Sequence, residues 1–206
     1  GNNLDFQEFH IIPSSRQSFT EALAMGDVIY QTLKGALIKR NAVYSVGDEG
    51  GFAPNLYTNS DALALLVEAI NGSNYILGKD VFMGLDTAAN SFFRDGKYAI
   101  KDKGQPLTPE EMIEFYLQLN KEYQLLELED PLQEDDFDGW TKLTTELGKA
   151  TMVVGDDLLV TNKKRLLKAI EKGACNTILV KPNQIGTISE TVEVIKIAKE
   201  KGMSVI

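Results

Sequence analysis

The sequence predicts an α/β protein built on a mostly parallel sheet, of the TIM-barrel kind but irregular at its start and incomplete. Three observations lead there. Strand-like and helix-like segments alternate through the last two-thirds of the 206 residues, the pattern of successive βαβ units. Four consecutive strands end in charge: VFMGLD in Asp86, LLELED in Glu129 and Asp130, TMVVGDD in Asp156 and Asp157, and TILVK in Lys181. Charge at the carboxyl ends of several neighbouring strands, rather than at one switch point, favours a barrel over a doubly wound sheet. The opening strand–helix–loop–helix breaks the alternation, and five strands with the start of a sixth fall short of the eight that closure needs.

Taken in order, Leu4–Pro13 (LDFQEFHIIP) alternates loosely, carries β-formers and ends at a proline. Ser18-Phe19-Thr20-Glu21 is a capping box, and Phe19, Ala22, Leu23, Ile29, Leu33 and Leu37 carry helical spacing on to about Arg40. SVGDEGGFAPNL (Ser45–Leu56) is a glycine-rich loop holding the adjacent acids Asp48 and Glu49. A second helix starts near Asn59 or Ser60 and stops at Gly72. Strand Val81–Leu85 precedes a small excursion marked by the hairpin dipeptide Asp95-Gly96. Thr108, Pro109 and Glu111 open the next helix as cap, first residue and third. Strand Leu125–Leu128, a helix around Trp140–Leu147 and strand Thr151–Val154 follow. Thr161 or Asn162 caps the helix up to Gly173, strand Thr177–Val180 comes next, and helix Ser189–Lys201 leads into strand Met203–Ile206.

Composition excludes several classes of function. With 43% hydrophobic and 25% charged residues, the chain reads as an ordinary soluble globular protein. A net charge of −9 with no basic stripe argues against a nucleic-acid surface. No apolar run is long enough to cross a bilayer, no signal-peptide pattern opens the chain, and a lone Cys175 allows no internal disulfide, so a reducing, cytoplasmic setting is expected. The chain begins on Gly1 within a strand and stops at Ile206 in another, so it reads as a segment of a longer protein.

The chemistry is expected at the strand ends. Three carboxylates brought into one cavity, Asp86, Glu129 and Asp156, repel one another unless protonated or neutralised by a cation. An all-oxygen donor set, with no cysteine and no suitable histidine close by, suits a hard ion such as Mg²⁺. Each acid taken singly reads equally well as a helix cap; their recurrence at successive strand ends, followed by Lys181, does not. A lysine at the end of a buried strand is costly unless something uses or neutralises it. Glycines around Glu49 permit close backbone approach, although an acid pair in a glycine-rich turn is a weak signal. Glu8, flanked in the strand by Gln7 and Phe9, needs a partner. His10, the only histidine, reads as a structural residue.

In the blocks DFQEFHIIP, VGDEGGFAPNL, MGLDTAAN, LELEDPL, VGDDLLVTN and LVKPNQIGT, in that order and over essentially the whole chain, the sequence resembles the enolases. The wording of EDPLQEDD and VKPNQIGT is closer to archaeal-type members. The resemblance implies a ββαα(βα)₆ barrel whose second strand is antiparallel, with Leu4–Pro13 as that strand and the chain spanning strands two to six and the start of seven. It implies Mg²⁺-dependent dehydration of 2-phosphoglycerate to phosphoenolpyruvate by a lyase of glycolysis. Lys181 matches the base, Glu49 the acid and Glu8 its paired carboxylate, while Asp86, Glu129 and Asp156 match the ligands of the tighter Mg²⁺. The Mg²⁺ is expected to lower the lysine pKa. Family members are homodimers or larger. An N-terminal α+β domain, the first strand, and later histidine and lysine substrate contacts of the family are not in these residues, so the segment alone is expected to be inactive. Two other readings differ in class. One is a non-catalytic enolase-like scaffold or binding module. The other is a different enolase-superfamily enzyme, disfavoured because such enzymes place basic residues where this strand has Gln7-Glu8.

Overall fold

The computed structural model describes residues 3–47 and 49–206. The antiparallel opening strand expected above is present: β1 (Glu8–Pro13) pairs antiparallel with β2 (Val81–Asp86). Between them lie α1 (Phe19–Lys39), the glycine-rich loop, and α2 (Asn59–Asn71). After β2 come a single 3₁₀ turn (Ala89–Phe92) and the two-residue strands β3 (Phe93–Arg94) and β4 (Lys97–Tyr98). The chain then alternates: α3 (Pro109–Tyr123), β5 (Glu127–Glu129), α4 (Phe137–Leu147), β6 (Met152–Gly155), α5 (Lys163–Lys172) and β7 (Thr177–Ile178). It closes with α6 (Pro182–Ile185), α7 (Ile188–Glu200) and β8 (Ser204–Val205). Among the described residues, six strands form one sheet in the order β1-β2-β5-β6-β7-β8, all neighbours parallel after the first pair. This is an α/β barrel sheet short of closure.

Local chemistry accounts for most boundaries. Ser18, Thr58 and Thr108 each accept from the backbone three residues on, and Glu21, Asp61 and Glu111 return the bond, so three helices open on reciprocal capping boxes. Asn162 rather than Thr161 caps α5. Asp95 and Gly96 both take positive φ, as the tight β3–β4 turn requires. Four strands, β1, β5, β7 and β8, are shorter than the sequence suggested. β1 starts only at Glu8, and β7 stops at Ile178 because Pro182 starts α6 directly after Lys181.

Side chains on the two faces of the sheet differ in kind. Val81, Met83, Leu85, Leu128, Val153 and Ile178 point to one face and are buried against the helices, where they join Trp140, Tyr116, Met112 and Leu166 in the main core. Helix α1 contributes Met25 and Ile29 to it. Phe19 and Leu23, placed on the same apolar face by spacing, are instead 83% and 64% exposed. No helix among the described residues is long and apolar enough to cross a membrane.

Candidate active site

The other face of the sheet carries the ionisable groups, and strand register arranges them in rows. Glu8 is paired with Asp86 and Asp86 with Glu129, so three acids stand in line across β1, β2 and β5. The next row is His10, Gly84 and Glu127. Asp156 follows the end of β6, and Lys181 sits three residues past β7, at the residue preceding α6.

The acids crowd. Asp86, Glu129 and Asp130 offer carboxylate oxygens within 4.8 Å of one another, and Asp130, Asp156 and Asp157 form a second such group. All but Asp157 are buried. Burial, reinforced by the charges of Asp86, Asp130, Glu127 and Asp156, pushes the Glu129 carboxyl up to about 8. Burial and the charges of Asp157, Asp86 and Asp156 raise Asp130 to about 7, against a hydrogen bond from the Asp157 N–H. Asp86 rises to about 6, mainly through burial, although the Ala88 N–H donates to it at 2.9 Å. Buried oxygen donors that disfavour each other's charge are the set a hard divalent cation neutralises.

Asp130 belongs to both groups, Asp86 and Glu129 to the first and Asp156 to the second, and the charges of Asp86, Glu129 and Asp156 act on one another. The carboxylate of Asp156 is ion-paired with Lys181 Nζ and accepts from Gln184 Nε2 at 2.6 Å. Thr161 completes the ring, its hydroxyl oxygen accepting the Lys181 N–H at 2.9 Å while the hydroxyl donates to Gln184 Oε1. The hydrogen bond with Asp156 holds the Lys181 amine above the usual lysine value, with help from the charges of Asp156, Glu129 and Asp86. That is the reverse of the lowering a base requires, and it persists while the facing acids are ionised.

The backbone around these groups is itself unusual. Ala88, Asp130, Val160 and Thr161 all have positive φ, in the turns that follow the acid-bearing strands. The turn at Asp130 is tied down by its neighbours. Thr87 Oγ1 donates to the Asp130 carbonyl at 2.7 Å, Tyr116 Oη to Pro131 O at 2.9 Å, and Trp140 Nε1 to Gln133 O at 3.1 Å.

The carboxyls of Glu8 and Glu49 lie close enough to influence each other's ionisation. Burial opposes ionisation of Glu8, but the hydrogen bond from His10, the neighbouring Glu49 carboxyl and the charges of His10 and Lys181 hold its carboxyl below the ordinary value. The loop that presents Glu49 is closed by Gly47 N–H to Gly51 O at 2.9 Å and pinned to α1 by Tyr30, whose hydroxyl donates to Gly50 O and whose ring stacks on Phe52 at 4.2 Å. Asp48, its neighbour in the sequence, lies outside the described residues. Glu8, His10 and Glu49 line a cleft of about 920 Å³ between β1, α1 and this loop.

Residues 1–206 match the family described as "Enolase, C-terminal TIM barrel domain". The chain belongs to this family. An enolase-type barrel accounts for the antiparallel first pair and for acids at the ends of parallel strands, where such barrels carry their active sites. Membership points to a lyase-type enzyme whose acidic cluster can hold a divalent metal ion.

Four residues that contact the predicted groups were not singled out as site residues from the sequence. Asp130 was noted only as part of a strand tip, and Gln184 only as part of a motif. Glu127 had a readable signal, since it lies two residues before Glu129 and alternation puts both on one face. His10, which the sequence gives as a structural residue, contacts both Glu8 and Glu127 through its ring.

Proposed function

We propose that this chain is the central barrel segment of an enolase, archaeal-like in sequence, that dehydrates 2-phosphoglycerate to phosphoenolpyruvate with Mg²⁺. The observation that carries the reading is the opposition of two proton-handling centres across the acid row: Lys181 at one end and the Glu8–Glu49 pair at the other. The reaction needs both. Lys181 Nζ takes the proton α to the substrate carboxylate, the C–H electron pair moves into an enediolate, and the β C–O bond then breaks as Glu49 gives its proton to the departing hydroxyl, releasing water. Glu8 holds Glu49 in place for that transfer. Asp86, Glu129 and Asp156, with Asp130 among them, would hold the Mg²⁺, and the ion would supply the positive charge that makes the dianionic enediolate accessible. The same neutralisation of the acids removes the interactions that now keep Lys181 charged. The enzyme is read as cytoplasmic and, in its full-length form, as a homodimer or larger.

The test is phosphoenolpyruvate formation by the full-length protein with Mg²⁺, compared with Lys181→Ala. Loss of a general base predicts a fall in kcat of about a hundredfold or more, with Mg²⁺ affinity by calorimetry little changed. Near-normal turnover by the variant removes Lys181 as the base. Absence of both turnover and Mg²⁺ binding in the unsubstituted protein favours the scaffold reading, and Mg²⁺ binding without turnover of 2-phosphoglycerate favours another superfamily substrate. The 206-residue segment by itself is expected to bind Mg²⁺ without turnover.

A further inference from the structure

Below the row of acids lies a second row that the proposed chemistry does not use. His10, Gly84 and Glu127 are register partners on β1, β2 and β5, and their side-chain positions share the face that carries the acids. Strands are spaced by roughly 4.8 Å, so His10 and Glu127 are separated by two such intervals, with β2 between them. They nevertheless touch, His10 Nδ1 to Glu127 Oε2 at 3.2 Å. Gly84 makes this possible. A Cβ at position 84 would stand 2.8 Å from Glu127 Oε2 and 2.9 Å from Glu127 Cβ, closer than real Cβ contacts come. The other ring nitrogen, Nε2, lies 2.8 Å from Glu8 Oε2.

We propose that His10 is a positioning residue: braced by Glu127 across Gly84, it fixes the Glu8 carboxylate in the orientation in which Glu8 meets Glu49. The inference rests on the acid role proposed for Glu49. Two carboxylates, one on each ring nitrogen, require both nitrogens to donate, so the ring is an imidazolium. Burial opposes that charge, but the hydrogen bonds and charges of Glu127 and Glu8 outweigh it and raise His10 to about 9. A satisfied structural histidine needs only one such partner. Here the second bond is to a group that itself lies beside the proposed acid. Hydrogen bonds to charged groups of this kind correspond to about ten- to a hundredfold in rate where they orient a reacting group.

Because His10 is the only histidine in the chain, its imidazole signals in a ¹H–¹⁵N spectrum need no assignment among others. Near neutral pH the unsubstituted protein should show a doubly protonated ring with both N–H protons protected from exchange. Glu127→Gln should alter the Nδ1 signal and Glu8→Gln the Nε2 signal. Gly84→Ala, which removes no charge, should alter the Nδ1 signal as Glu127→Gln does. A neutral ring, or a ring indifferent to Glu127→Gln and Gly84→Ala, overturns the brace whether or not the protein dehydrates 2-phosphoglycerate. In the full-length enzyme, His10→Leu should lower kcat about tenfold or more with KM and Mg²⁺ affinity near those of the parent. His10→Gln, which can still donate to Glu8, should recover part of the loss. A His10→Leu variant with unchanged kcat, or a His10→Gln variant that recovers none of the loss, refutes the positioning role. If no dehydration is seen in the unsubstituted enzyme while the ring spectrum behaves as described, it is the acid role of Glu49 that fails.

Discussion

At Glu129 the interests of folding and of function diverge. Its carboxyl is buried, faces four other acids, and is pushed up to about 8. In the unfolded chain the same group titrates near the ordinary glutamate value. Between the two values the folded state holds the proton and the unfolded state does not, so stability falls as pH rises through that window. Glu129→Gln removes the ionisation and keeps the shape. The variant without metal should therefore melt a few degrees higher than its parent at pH 8 and about equally at pH 5, while its Mg²⁺ affinity falls by roughly an order of magnitude or more. Calorimetric scans at the two pH values, with a Mg²⁺ titration, check both halves. A variant that melts lower at pH 8 would show that the carboxylate is not strained by its neighbours. Residues of this kind were legible in the sequence because each ends an apolar run; Asp130 and Gln184 were less so because each acts through a turn rather than a strand.

Elements were legible where their signals are local. The capping boxes of α1 and α3 were read in full from Ser18, Glu21, Thr108 and Glu111, and the box of α2 confirms the start at Asn59 through Thr58 and Asp61. Thr108→Ala breaks one such box and should lower the unfolding free energy by about 1 kcal/mol, visible as a lower denaturant midpoint with unchanged slope. An unchanged midpoint would mean that Pro109 and the packing of Met112 and Tyr116 define the start of α3 unaided. What escaped sequence reading is tertiary in origin. The period of α1 includes Phe19 and Leu23, but which part of an apolar stripe is covered is set by tertiary packing and not by helical spacing. The turn α6 is only four residues long, too short for periodicity to reveal, and β7 ends at Ile178 where the sequence carries the strand on to Val180. The contact of His10 with Glu127 across Gly84 needs the register of three strands, and register cannot be read from any one of them.

For the molecule as a whole, the raised groups act in one direction. Asp86, Glu129 and Asp130 lose their favourable neutral form as pH rises through about 6, 8 and 7, and His10 loses its charge near 9. A group whose folded pKa exceeds its unfolded one stabilises below the lower value and stops doing so above the higher. The protein without added metal should accordingly lose thermal stability from pH 5 to pH 9, and Mg²⁺ should restore more of it at pH 8 than at pH 6. Mass action sets the size of the rescue, about 2.7 kcal/mol at a hundred times Kd. A midpoint that rises with pH, or an equal Mg²⁺ effect at both, would contradict the assignment of these acids to one cation-binding cluster. The two-faced sheet carries one more consequence. Along β5, Glu127, Leu128 and Glu129 send alternate side chains to the acid-bearing side and to the packed side. Cohesion and chemistry are therefore one residue out of phase, and a single deletion ahead of this short strand would drive two carboxylates into the helices and turn a leucine toward substrate, abolishing folding and function by the same slip.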